Sequence, residues 1–268
     1  MNIKIYVLTH KKIEENYDCP PYVPLLNGST FFDDDFGYLR DDTGDNISEL
    51  NNYYAELTGQ YWAWKNSKAD IIGFCQYRRW FVKNIGLDKL TEEDIERDLN
   101  DYDIILPVKT PCDDTLENGI KKCLINNPNY GAKWEDYLKL ENIIKNKYSQ
   151  YYSVYKNLMY GNIDGAYNCN MFICKKKLAD EYFSWLFDIL DELKNNIDFS
   201  QYPENNKRVL GFFSEYLLTV FVYAHNLKVK EYHIINIERK FPILTILNSK
   251  FPFLKSIENK IFYFKLKK

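Results

Sequence analysis

The chain has 268 residues, 46% of them hydrophobic, and a formal net charge of −3, with an isoelectric point near 5.8. That length can bury one large core or two small ones, and the charge excludes a global nucleic-acid binder. Tyrosine (23) and phenylalanine (17) are in excess; the rings offer stacking surfaces for bases and sugars, but an AT-rich coding sequence would give the same excess.

At the start, Ile3, Ile5 and Val7 alternate with polar or aromatic partners and predict a first strand, whose carboxyl end carries Thr9, His10 and Lys11. This start lacks the apolar core and cleavage site of a signal peptide. No run reaches the length of a membrane span, so the chain is expected in the cytoplasm. Residues 16–43 hold Pro20, Pro21, Pro24, Gly28, Gly37 and the acids Asp33 to Asp35, and read as a long loop over one sheet edge. Ser48 or Asn52 is placed to cap a helix that carries Tyr54, Leu57, Tyr61 and Trp64 at helical spacing.

The next stretch, DIIGFCQYRRWF from Asp70 to Phe81, organises the rest. Its apolar run fits a buried strand of a parallel sheet. It ends in Arg78 and Arg79, between Tyr77 and Trp80. In open α/β sheets, ligands sit outside the carboxyl ends of the strands, and arginine presents a planar fork of donors suited to phosphate or carboxylate. The pair reads as a diphosphate site. From spacing alone, a strand ending in two solvated arginines reads equally well.

Leu90 to Leu99 predicts an amphipathic helix capped by Thr91, and residues 102–108 a strand. Residues 112–160 read as a mainly helical, polar insertion between sheet strands. Ala166 to Cys174 predicts a strand, Asp180 to Lys194 a helix, Ser214 to Asn226 a buried helix and Leu227 to Ile237 a last strand. The alternation argues an α/β sandwich, one domain over 1–245. The tail, 246–268, mixes phenylalanines with lysines and reads as a membrane-surface segment or as a packed helix. The six cysteines form no CxxC and read as reduced thiols. Asp33 to Asp35, and Asp113 with Asp114, are candidate metal carboxylates that read more simply as solvated loop acids. Asp101 and Asp103 fall at the amino end of their strand, and His225 and His233 read as structural.

Five blocks then occur in order: IYVLTHKK, DDTGDNISELNNYYAELTGQYWAWKN, DIIGFCQYRRWF, NMFIC and GFFSEYLLTVF. Together they resemble the bacterial family catalogued as domain of unknown function 4422, over most of Met1 to Ile237. Its members sit in capsule, exopolysaccharide and O-antigen clusters and are taken to be glycosyltransferases, some of them galactofuranosyltransferases. Two positions depart from it: Gln76, where the family usually has His, and Tyr216, where it usually has Arg.

A more distant resemblance is to nucleotide-sugar transferases of the GT-A fold. It implies a Rossmann-like α/β/α sandwich with a mostly parallel central sheet. It implies that Arg78 or Arg79 neutralises the donor diphosphate in place of a metal, and that Glu215, an acid at a helix start, is the catalytic base. Thr9, His10 and Lys11 would hold base and ribose, with Asp45, Asn46 and Tyr77 completing the donor site and Asn170 and Trp80 on the acceptor side.

These resemblances imply an inverting hexosyltransferase that moves galactose or galactofuranose from a UDP-sugar to a lipid-linked oligosaccharide. No cofactor is expected to be required, with Mn2+ or Mg2+ as the alternative, and the tail is expected to touch the inner face of the cell membrane. A retaining transferase and a non-catalytic nucleotide- or glycan-binding module are the competing readings.

Overall fold

The computed structural model describes residues 1–13, 19–83, 88–111, 114–127, 131–161 and 164–238. The tail at 246–268, with its expected membrane contact, lies outside them. The strands are β1 (Ile3–Thr9), β2 (Tyr22–Leu26), β3 (Leu39–Arg40), β4 (Ile71–Gln76), β5 (Arg79–Val82), β6 (Ile104–Pro107), β7 (Ile173–Lys175) and β8 (Val229–Asn236). They form one sheet in the order β3-β2-β1-β4-β5-β8-β6-β7, with β4 also paired to β7. Strands β4, β5, β8, β6 and β7 therefore close a ring.

The sheet is mixed, which corrects the expectation of a mostly parallel one. Pairings β1–β2, β1–β4, β2–β3 and β6–β8 are parallel; β4–β5, β4–β7, β5–β8 and β6–β7 are antiparallel. The parallel half, β3-β2-β1-β4, has its carboxyl ends on one side, and the functional loops leave from there.

Side chains alternate across each strand and divide the core in two. Tyr6, Leu8, Ile72, Phe74, Ile104 and Leu106 face one layer; Ile3, Ile5, Val7, Ile71, Cys75 and Ile105 face the other. The first layer is covered by α1 (Asn51–Tyr54), α2 (Leu57–Asn66), α5 (Trp134–Lys147), α6 (Ser149–Tyr160), α7 (Lys176–Asn196) and α8 (Val209–Ala224). The second receives Ile95 and Leu99 of α3 (Glu92–Asp101). Thr91 caps α3 in a reciprocal box with Asp94. The 112–160 segment holds α4 (Leu116–Asn126), α5 and α6, and its Tyr137, Leu140, Ile144, Tyr155 and Leu158 share the larger core.

Four local expectations are corrected. The loop over 16–43 contains edge strands β2 and β3. Pro24 sits inside β2 without breaking it: Ile5 N donates to Pro21 O at 2.8 Å and Asn27 N to Thr9 O at 2.7 Å, so the odd-numbered residues bond β1. The missing amide of Pro24 faces the two-residue edge strand β3, which pairs only at Leu25 and Leu26.

DIIGFCQYRRWF is a hairpin rather than one strand. Gln76 pairs antiparallel with Arg79 across a turn made by Tyr77 and Arg78. The helix expected from Ser48 breaks at Ala55, where φ is +50°, and Ser48 Oγ donates to the buried Asp41 carboxylate at 2.6 Å instead of capping it. The strand expected over Ala166 to Cys174 narrows to β7, because Cys169 and Asn170 take left-handed φ of 75° and 50°.

Candidate active site

A cleft of about 720 Å³ opens at the carboxyl ends of β1, β2 and β4, where ligands of open α/β sheets bind. Thr9, His10, Asn27, Tyr77, Arg78 and Arg79 line it from the sheet; Glu56, Arg208 and Glu215 line it from the helical layer.

The cationic side is built by two chain reversals. Thr9 Oγ1 donates to Lys11 O at 2.6 Å and accepts from Lys11 N at 3.1 Å, which turns the chain as β1 ends. His10 then lies edge-on to Tyr77, ring centroids 5.2 Å apart. Burial first, then Lys11, Arg78 and Arg208, push the His10 imidazole below its ordinary value, so it is neutral at pH 7. Lys11 Nζ stands 4.7 Å from the Tyr77 ring centre and 3.0 Å from Glu238 Oε1. Arg78 Nη1 reaches the other oxygen of Glu238 at 3.3 Å, while its buried Nε has no partner among the described residues.

Arg79 is wired differently. Its Nη1 donates to Gln76 Oε1, and Gln76 Nε2 donates to Cys169 O at 3.0 Å. Gln76 thus ties the arginine to the loop that carries the acids. Arg208 was not among the expected site residues; it precedes the first residue of α8, is exposed at the cleft rim, and acts on His10 by charge. Its signal was the apolar run beginning at Val209, which extends the helix upstream of Glu215.

On the acidic side, α8 begins at Val209, so Glu215 lies in its second turn and not at its start. Glu215 Oε1 accepts from Cys169 N at 2.9 Å. Burial, with Glu56 second, pushes the Glu215 carboxyl up to about 7, against the opposing pull of the Cys169 amide and Arg79. Glu56 enters because α1 and α2 are separated at Ala55, whose φ of 50° and ψ of −127° end the first helix. In sequence it looks like a polar position on a continuous helix. Asn170 Nδ2 donates to Glu56 Oε1 at 2.9 Å and to Gly211 O at 3.0 Å, and Ser214 Oγ donates to Asn170 Oδ1 at 2.8 Å. The left-handed backbone at Cys169 and Asn170 is of the kind that concentrates at functional sites.

Other expected site residues lie elsewhere. Asp45 and Asn46 do not line the cleft: Asp45 Oδ1 accepts from Tyr61 OH at 3.1 Å, and Asn46 Nδ2 donates to Gly44 O at 3.0 Å. Trp80 is 4% exposed and packs in the second core layer, because alternation along β5 turns it away from the face of Arg79. Asn170 is 3% exposed and its amide is consumed by the contacts above, so it sits behind the site rather than against an acceptor. Among the acids weighed for metal, Asp34 and Asp35 accept from the amides of Phe36 and Gly37, both at 2.8 Å, and Asp114 accepts from Thr115 N at 2.7 Å. Among the described residues, no group of three or more His, Cys, Asp or Glu is placed to hold a metal ion, and no helix is long and apolar enough to cross a membrane.

A family model described as "Domain of unknown function (DUF4422)" matches residues 4–226. No curated protein matches the chain. Among solved structures, the chain is similar to the apo structure of the WbbM bifunctional glycosyltransferase, with a TM-score of 0.74 and 27% identity over 89% of this chain. It spans about half of that protein, 46% of its length.

Proposed function

Since the chain belongs to the DUF4422 family, we propose that it is a glycosyltransferase that moves galactose or galactofuranose from a UDP-sugar to a growing lipid-linked cell-surface glycan, with inversion. The likeness to a bifunctional glycosyltransferase supports the transferase class. The parallel β3-β2-β1-β4 half, with polar loops at its carboxyl ends, supports the GT-A reading of the fold.

The observation that carries the proposal is the opposition within one cleft of Arg78, Arg79 and Arg208 to Glu215, a carboxyl poised near neutrality. An acceptor hydroxyl attacks the anomeric carbon from the face opposite the nucleotide. Glu215 takes the proton as attack proceeds, which a carboxyl poised near the working pH does well. Preorganised cations stabilise the leaving diphosphate, the role assigned to Arg78 and Arg208. Thr9 and neutral His10 meet the nucleoside. Arg79, bonded through Gln76 to the Cys169 carbonyl, orients the loop that holds Glu215.

A thermal-shift panel of nucleotides followed by turnover of the matching UDP-sugars tests this. Stabilisation by UDP together with turnover of one UDP-sugar is expected. Stabilisation without turnover of any would leave a binding module.

A further inference from the structure

Glu56, on the helical side of the cleft, is a charged group that the proposed reaction does not use. The break at Ala55 turns it inward between α1 and α2. A Cβ built on Gly211 would stand 3.7 Å from Glu56 Oε2. Gly211 precedes Glu215 by one turn of α8, so the two share a helix face. The Glu56 carboxylate therefore lies along the face from which Glu215 projects.

Both acids are held from one place. Cys169 donates its backbone N–H to Glu215, and the next residue, Asn170, donates its side chain to Glu56. The carbonyls of these two left-handed residues are held in turn by Gln76 Nε2 at 3.0 Å and Gln60 Nε2 at 2.6 Å. Packing alone does not require one clamp to carry two carboxylates, and two fixed carboxylates resist ionising together.

We propose that Glu56 and Glu215 work as one two-carboxylate unit, Glu215 exchanging the proton and Glu56 tuning it from the clamp they share. The inference rests on the glycosyl-transfer reading above. The acceptor O–H bond breaks with its proton passing to Glu215; the bond from that oxygen to the anomeric carbon forms; the bond to the diphosphate breaks, and the electron pair leaves on the diphosphate. Glu56 acts through Glu215 and is a positioning residue. The groups facing Glu215 are Glu56, Arg79 from β5, the Cys169 thiol and the Tyr137 phenol from α5. Burial pushes the thiol up to about 11 and the phenol well above its ordinary value. Glu56 is therefore the neighbour of this set that raises the Glu215 carboxyl by charge, and Arg79 opposes it.

The test titrates the glutamate carboxyls of the whole free protein by 13C NMR, with Glu215 assigned through Glu215→Gln. In the wild type the Glu215 resonance should titrate near 7. Glu56→Gln keeps the shape and the Asn170 bond but removes the charge. The Glu215 midpoint, near 7, should then fall by about one pH unit, staying above the ordinary range because burial persists. Glu56→Asp should hold it high. An unchanged midpoint in Glu56→Gln, or an equal fall in both variants, would each overturn the proposal. The titration needs no donor or acceptor, so a failure of the transferase reading shows separately, as absent sugar transfer with the coupling intact. In the active enzyme, the acid limb of kcat/KM should move with the midpoint.

Discussion

Replacing Glu215 by glutamine should remove activity and raise stability, and the second effect has a definite pH dependence. Burial and the Glu56 charge lift this carboxyl from 4.5 to about 7 in the folded protein. Below about pH 4.5 it is neutral in both folded and unfolded chains and costs nothing. Between there and about pH 7, the unfolded chain releases its proton while the folded chain keeps it, so stability falls as pH rises. Above about pH 7 the whole cost is present. At roughly 1.4 kcal/mol per pH unit the upper bound is about 3 kcal/mol. Glu215 is partly open to the cleft, and solvent screening lowers this to about 1–2 kcal/mol. Glutamine keeps an acceptor for the Cys169 N–H and carries no charge. For a chain of this size, Tm should therefore rise by about 2–8 °C near pH 8 and hardly at all near pH 4, while turnover falls by roughly 10²–10⁴-fold. Melting curves of wild type and Glu215→Gln at the two pH values read it directly. A gain equal at both pH values, or no gain, would refute the claim that the carboxyl is held above its ordinary range.

The arginines should behave unequally under calorimetric titration of UDP. Arg78→Ala should weaken binding by roughly 10–150-fold, the scale of one charge-assisted hydrogen bond, whereas Arg79→Ala should lower turnover more than affinity. Glu238 occupies both Lys11 and Arg78, so Glu238→Gln should release them and tighten UDP binding by up to about fivefold, as an exposed pair allows; weaker binding would show that Glu238 positions Arg78 instead. Turnover should persist in excess chelator, and a complete loss reversed by Mn2+ or Mg2+ would return the loop acids to consideration.

Much of the scaffold was legible because its signals are local. Alternation wrote β1, the capping Thr91 wrote α3, and a long apolar stripe wrote α7. The arginine pair was legible as an anion site because it follows an apolar strand. The hairpin at Tyr77 and Arg78 was not, since neither residue is a turn former and tertiary pairing with β8 holds β5 in place. Glu56 was hidden for a similar reason: an alanine at positive φ has no sequence signature. Asn170 is expected on the acceptor side from the resemblance; its own burial and its bonds to Glu56, Gly211 and Ser214 show it to be an internal clamp. Asp45 and Asn46 sit in a turn that the fold uses to meet α2 through Tyr61 and Asn66.

Following the anomeric proton of the product by NMR, with wild type and Glu215→Gln given the same UDP-sugar and lipid-linked acceptor, reads both the stereochemistry and the role of Glu215. The wild type should form a product of opposite anomeric configuration to the donor, and the variant should form it at least about a hundredfold more slowly. A product of retained configuration, or one formed at the wild-type rate by Glu215→Gln, would contradict the proposed mechanism.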